Sequence, residues 1–131
     1  MTTLMILMPT GGQVDTPAVH SLLGLTQALP RRGIRFALKT YEWSDLVISR
    51  NYLMSCFLAD HKFTHALLLD SDMSYHPQVF FDLLAFEADF TCAPYPQRRM
   101  QWSTFRALIE REAAKPEAER APTDRLFAES L

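Results

Sequence analysis

The sequence is short of glycine, cysteine and long apolar runs, and each shortage closes off a class of function. No glycine follows Gly33. An EF-hand reading of the acidic stretch at residues 70–81 fails on that ground, because Tyr75 stands where the sharp turn needs glycine and Phe81 where the loop needs a bidentate carboxylate. There are two cysteines, Cys56 and Cys92, with no C-x-x-C spacing. They read as reduced core thiols, which excludes a disulfide framework and a paired-cysteine zinc site. No apolar run approaches the roughly 20 residues that cross a bilayer, and the N-terminus lacks a basic start and a small-residue cleavage site. A cytoplasmic protein without a membrane span is expected. Charge of one sign is also lacking: 13 basic against 15 acidic residues give a net charge of -2. Nucleic acid and anionic membrane lose their electrostatic case, and a small ligand or another protein fits better.

What is present is apolar material for a core, 48% of 131 residues, enough for one domain. "TLMILMP" (3–9), closed by Pro9 and Gly11-Gly12, predicts a strand buried on both faces followed by a loop. A helix is expected from Thr16, with Pro17 in the first turn and Val19, Leu22, Leu23 and Leu29 at helical spacing, stopped by Pro30 and Gly33. "IRFALKTY" (34–41) predicts a second strand, and Ser44-Asp45 caps a helix running to about Ala59. The pattern repeats with a buried strand at 65–69, a helix opened by Pro77 with Val79, Phe80, Leu83 and Leu84 inward, and a fourth strand in "DFTCAP" (89–94). Strands alternating with helices imply an α/β fold, a mostly parallel sheet with helices on both faces.

Asp70 and Asp72 flank Ser71 directly after the apolar run at 66–69, on what reads as a central strand. Ligands in open parallel sheets bind beyond the carboxyl ends of the strands. Two neighbouring carboxylates in a partly dry crevice repel each other, and a divalent cation reverses that by supplying positive charge. Mg²⁺ or Mn²⁺ shared with phosphate oxygens suits such hard donors. The plainer reading is an Asx-type turn that caps the next helix.

On the second helix Arg50 shares a stripe with Leu46, Leu53 and Phe57, and Asn51 shares a neighbouring stripe with Val47, Met54 and Leu58. A guanidinium on a face meant for burial must reach the rim or meet an anion, either a phosphate or one of the aspartates.

The succession "LMPTGG", "SRNYLMSCFLAD" and "FTHALLLDSDMSYHPQVFFDLLAFEADFTCAPYPQR" resembles the nucleotide-diphospho-sugar transferase fold of the GT-A glycosyltransferases, in particular compact bacterial and phage members. The resemblance spans residues 3–99 and implies a Rossmann-like, GT-A-type donor half within residues 1–114; the charged, proline-bearing composition of "KPEAERAPTDR" separately predicts a mobile or partner-docking tail at 115–131. It implies that Asp72 and Asp70 bind Mn²⁺ or Mg²⁺, and Asp70 also the ribose. Pro9, Thr10 and Gly11 would embrace the base, Arg50 and Asn51 would reach the nucleotide, and Arg98 would steady the diphosphate of a UDP- or GDP-linked sugar. The implied activity is transfer of that sugar to an acceptor hydroxyl. Family members continue into a second half with the acceptor site and the catalytic carboxylate, which these residues do not include. No catalytic base is therefore assigned, Glu110 and Glu112 being candidates only by default, and a second copy or a partner subunit stands open as what completes the site.

His76 reads as an N-cap before Pro77, while Trp102 and Tyr95 read as packing for the C-terminal segment. His61 and His65 fall at a helix end and a strand start, which separates them as metal ligands. Two rivals stand beside the transferase reading. One is a non-catalytic nucleotide-binding or assembly protein that keeps the fold. The other is a metal-dependent phosphohydrolase in which Asp70 attacks phosphorus and Asp72 serves as acid or base.

Overall fold

Seven successive residues of β1 (Thr3–Thr10), Thr3 through Pro9, are buried, which only a strand covered on both faces and both edges achieves. The structure, a computed structural model, describes residues 1–95 and 101–129. β1 pairs in parallel with β2 (Arg35–Glu42) on one side, Thr3 opposite Arg35, and with β3 (His65–Leu68) on the other, Leu4 opposite His65. The strand order β2-β1-β3 makes β1 the centre of a three-stranded parallel sheet. The expected α/β architecture is therefore present.

Side chains alternate across β1, so its two sets of residues build two cores. Leu4 and Ile6 join Leu25 and Leu29 of α1 (Thr16–Arg31) and Phe80 and Phe81 of α3 (Pro77–Ala85). On the opposite face Met5 and Leu7 meet Leu53 of α2 (Leu46–Ala59), with Met54, Phe57 and Phe63 around them. Helices thus cover both faces. Leu25 and Leu29 are fully buried, each contributing about 1.5–3 kcal/mol over an exposed position.

Local chemistry sets the element ends. Asp45 caps α2 by accepting from the backbone N–H groups of Val47 and Ile48 at 2.8 and 3.0 Å. His76 caps α3 through Nδ1, which accepts from the Gln78 N–H at 3.2 Å. Pro30 lies inside the last turn of α1 and does not end the helix. Gly33 ends it, in a left-handed conformation (φ 70°) that an L side chain would strain.

Four expectations are corrected. Residues 89–94 form no strand, and β3 pairs with β1 alone among the described strands. β3 is consequently an edge strand, not a central one, and Leu68 is exposed. Cys92 lies in that irregular segment and is exposed, while Cys56 is half-buried. The inward faces of two helices are rotated from those expected: α1 buries Ala18 and Ser21 and exposes Val19 and Leu23, whereas α2 buries Ser49 and Leu53 and exposes Val47, Asn51 and Leu58.

By contacts the chain gathers into two compact units, Met1–Ala93 and Pro94–Leu131. The second unit, taken by itself, holds α4 (Trp102–Ala113), a 3-10 turn (Glu117–Glu119) and α5 (Thr123–Glu129). Leu126 is buried there, and Phe105 packs edge-on against Trp102 and Phe127, with ring centres 6.4 and 6.2 Å apart. The side chain of Glu112 is only 5% exposed and ties the unit's turn to α4. It accepts from the Ala121 N–H at 3.0 Å and pairs with Lys115 at 2.7 Å and Arg111 at 3.5 Å.

Candidate functional site

Because all three strands are parallel, the loops at residues 11–15, 43–45 and 69–76 leave the same edge of the sheet. Backbone hydrogen bonds tie them together. Trp43 N–H donates to the Thr10 carbonyl at 3.0 Å, and Asp15 N–H donates to the Ser71 carbonyl at 2.9 Å. The residue between the two aspartates is thereby fastened to the loop that follows "PTGG". Leu69 N–H donating to the Leu7 carbonyl at 3.0 Å carries the pairing with β1 to the residue before Asp70.

A helix that crosses back over a parallel sheet begins at the carboxyl edge of the strands, so the first turns of α2 lie near this loop cluster. Arg50, one turn into α2, sends its Nη2 to Asp70 Oδ1 at 2.7 Å. Side-chain exposures of 41% for Arg50 and 27% for Asp70 leave the pair partly hydrated, and its stabilisation is about 1 kcal/mol. Arg50 thus contacts one of the aspartates. The chemistry of the pair is that of a cation already drawn to the Asp-x-Asp turn.

Asp72, two residues on, is exposed. The turn between the carboxylates is held by Met73 N–H donating to the Asp70 carbonyl at 3.4 Å. Pro9 is buried within β1, Thr10 is half-buried at its end, and Gly11 is exposed with nothing within 4 Å of where a Cβ would stand. Gly12 adopts φ 95°, and a Cβ there would come within 2.9 Å of Glu42 Oε1, so this turn requires glycine. Asn51 is exposed on α2. Arg98 lies outside the described residues. The structure thus brings Arg50 to Asp70 and links the 11–15 and 69–76 loops.

Sequence reasoning missed Ser21. Buried on α1, its hydroxyl donates to the Pro17 carbonyl at 3.0 Å and accepts from the Tyr75 N–H at 2.9 Å, anchoring the Asp-x-Asp loop to the neighbouring helix. The available signal was a serine at the apolar spacing of Ala18 and Leu25. Beside it, Tyr75 packs against the core with its hydroxyl buried and without a hydrogen-bond partner among the described residues, and burial pushes that phenol up to about 12. A shallow groove of about 470 Å³ runs between Thr16, Pro17 and His20 on one side and Ser74, Tyr75 and His76 on the other. Neither aspartate lines it.

For a divalent cation, Asp70 and Asp72 offer hard oxygen donors, and no group of three or more His, Cys, Asp or Glu side chains among the described residues is arranged to hold one. Such a donor set fits Mg²⁺ or Mn²⁺ that keeps its remaining positions for water and phosphate oxygens, and does not fit a closed structural zinc site. Glu110 is paired with Arg106 at 2.9 Å. The Ala121 N–H, followed by Lys115, holds the Glu112 carboxyl down at about 2 against the opposing effect of burial. In comparisons with known proteins, no family model, no curated protein and no solved structure matches this chain.

Proposed function

We propose that the chain binds a nucleoside-diphosphate sugar through a divalent cation at Asp70 and Asp72, as the donor-binding part of a glycosyltransferase of GT-A type. The observation that carries this reading is the guanidinium of Arg50 drawn to Asp70 at 2.7 Å, on the edge of a parallel sheet where ligands of such folds bind. The two carboxylates take the cation, the loop at Thr10 and Gly11 meets the base, and Arg50 and Asn51 face the phosphates.

Transfer forms a bond from the acceptor oxygen to the anomeric carbon while the bond from that carbon to the phosphate oxygen breaks. The bonding pair leaves with the nucleoside diphosphate, and the acceptor's proton passes to a base. A bound divalent cation offsets the charge that develops on the departing diphosphate. Neither default candidate suits that role, since Glu110 is ion-paired with Arg106 and the Glu112 carboxyl, held down at about 2, is a weak proton acceptor.

Calorimetric titration with UDP- and GDP-sugars, with and without Mn²⁺, tests the proposal. Binding that requires Mn²⁺ supports it. Nucleotide binding indifferent to metal favours the non-catalytic alternative, and release of phosphate from simple phosphoesters favours the phosphohydrolase.

A further inference from the structure

Asp70 Oδ1 already accepts from a cation, the guanidinium of Arg50, at 2.7 Å. We infer that Arg50 and the divalent cation compete for Asp70, so that metal and nucleoside diphosphate bind as a coupled pair, with Arg50 transferring from the aspartate to the diphosphate. The inference rests on the proposed function and concerns the regulation of that same site.

Three observations carry it. First, the contact is close and charge-assisted, 2.7 Å from Nη2 to Oδ1, so a divalent ion on the same oxygen would stand against a guanidinium at contact distance. The two like charges repel at that distance, which favours departure of the guanidinium. Second, Arg50 can do so: its side chain is 41% exposed, whereas the helix is anchored by the buried Ser49 beside it and Leu53 about one turn on. Third, displacement has a cost until the guanidinium finds another anion, and a diphosphate on the same metal provides one within reach of a swinging side chain.

Metal alone must therefore displace Arg50 without compensation and binds weakly. Metal with a nucleoside diphosphate exchanges one anion for another and binds well. By linkage each ligand then raises the affinity of the other by the same factor, on the order of tenfold. The ion pair acts as a placeholder that keeps Asp70 paired until both parts of the ligand arrive.

The test measures Mn²⁺ binding by electron paramagnetic resonance, with and without UDP, for the native chain and Arg50→Gln. The native chain is expected to bind Mn²⁺ weakly alone and on the order of tenfold more tightly with UDP. Arg50→Gln is expected to bind Mn²⁺ alone more tightly than the native chain and to lose most of that enhancement. Equal Mn²⁺ affinity and equal enhancement in both would overturn the competition while leaving metal-dependent nucleotide binding standing. Absence of Mn²⁺ binding in both, with or without UDP, overturns the functional proposal and this inference together. A measurement on the native chain guards against a folding defect in the variant: the Arg50 Nε–Hε resonance should shift when Mg²⁺ and UDP are added together, and a resonance unmoved at saturation contradicts the transfer.

Discussion

At the scale of single residues, Tyr75 and Arg50 show how far a side chain's surroundings can be read from its position in sequence. Tyr75 follows an acidic turn and looks like a solvated loop residue, yet its ring joins the core beneath α1 and α3 and its hydroxyl is buried without a partner among the described residues. Tyr75→Phe removes that unsatisfied group, and the variant is expected to be more stable by about 1 kcal/mol in urea denaturation. The phenol's shift has a fixed sign. A group raised to about 12 stays protonated in the fold after the unfolded chain has begun to ionise near 10, so the native chain loses stability as pH rises through that window and Tyr75→Phe does not. Arg50 was legible as a cation in need of an anion because a charge interrupts an apolar stripe. Which anion it meets was not, because Asp70 lies 20 residues away and only the crossing of α2 over the sheet brings the two together.

At the scale of elements, the sequence states where helices begin more clearly than which way they face. Asp45 and His76 are short polar side chains placed just ahead of apolar runs, and both form the caps that this order predicts. Asp45→Ala leaves two N–H groups of α2 without their acceptor and is expected to destabilise the domain by about 1 kcal/mol, read from the denaturation midpoint at unchanged slope. Orientation was less legible, in α2 because apolar residues lie all round it and in α1 because the small residues Ala18 and Ser21 share the buried face. Spacing then fixes a period without fixing a phase, and Ser21 and Ser49 took inward positions that a hydrophobic reading gives to Leu23 or Val47. The segment at 89–94 shows the matching limit for strands, since β-type residues extend a sheet only where a partner edge receives them. In the C-terminal unit, Glu112 is the joint between α4 and the turn that follows. Its carboxyl is held at about 2, below its ordinary value near 4.5, so its stabilising contribution is complete above that ordinary value and fades as pH falls toward 2. Acid titration followed by the fluorescence of Trp102 should show this unit loosening in that range, and Glu112→Gln should abolish the pH dependence.

At the scale of the whole molecule, the parallel order β2-β1-β3 with helices on both faces turns separate sequence signals into one locality. The apolar run of β1, the glycine turn after it and the aspartyl pair after β3 are far apart in the chain and adjacent at one sheet edge, because every strand of a parallel sheet ends on the same side. That much follows from the alternation of elements. The direct fastening of the two loops through Asp15 and Ser71 is main-chain chemistry, which no side-chain pattern announces. Asp72→Ala takes away one of the two proposed metal donors, so metal-dependent nucleotide binding should disappear in calorimetry.

Anomalous diffraction at the manganese edge from crystals grown with Mn²⁺ and UDP asks the central question in one experiment. A single strong peak is expected within coordination distance of the Asp70 and Asp72 carboxylates and of the diphosphate oxygens, with Arg50 turned away from Asp70 toward the phosphates. An intact Arg50–Asp70 pair with no manganese beside it, in crystals that contain the nucleotide, would contradict it.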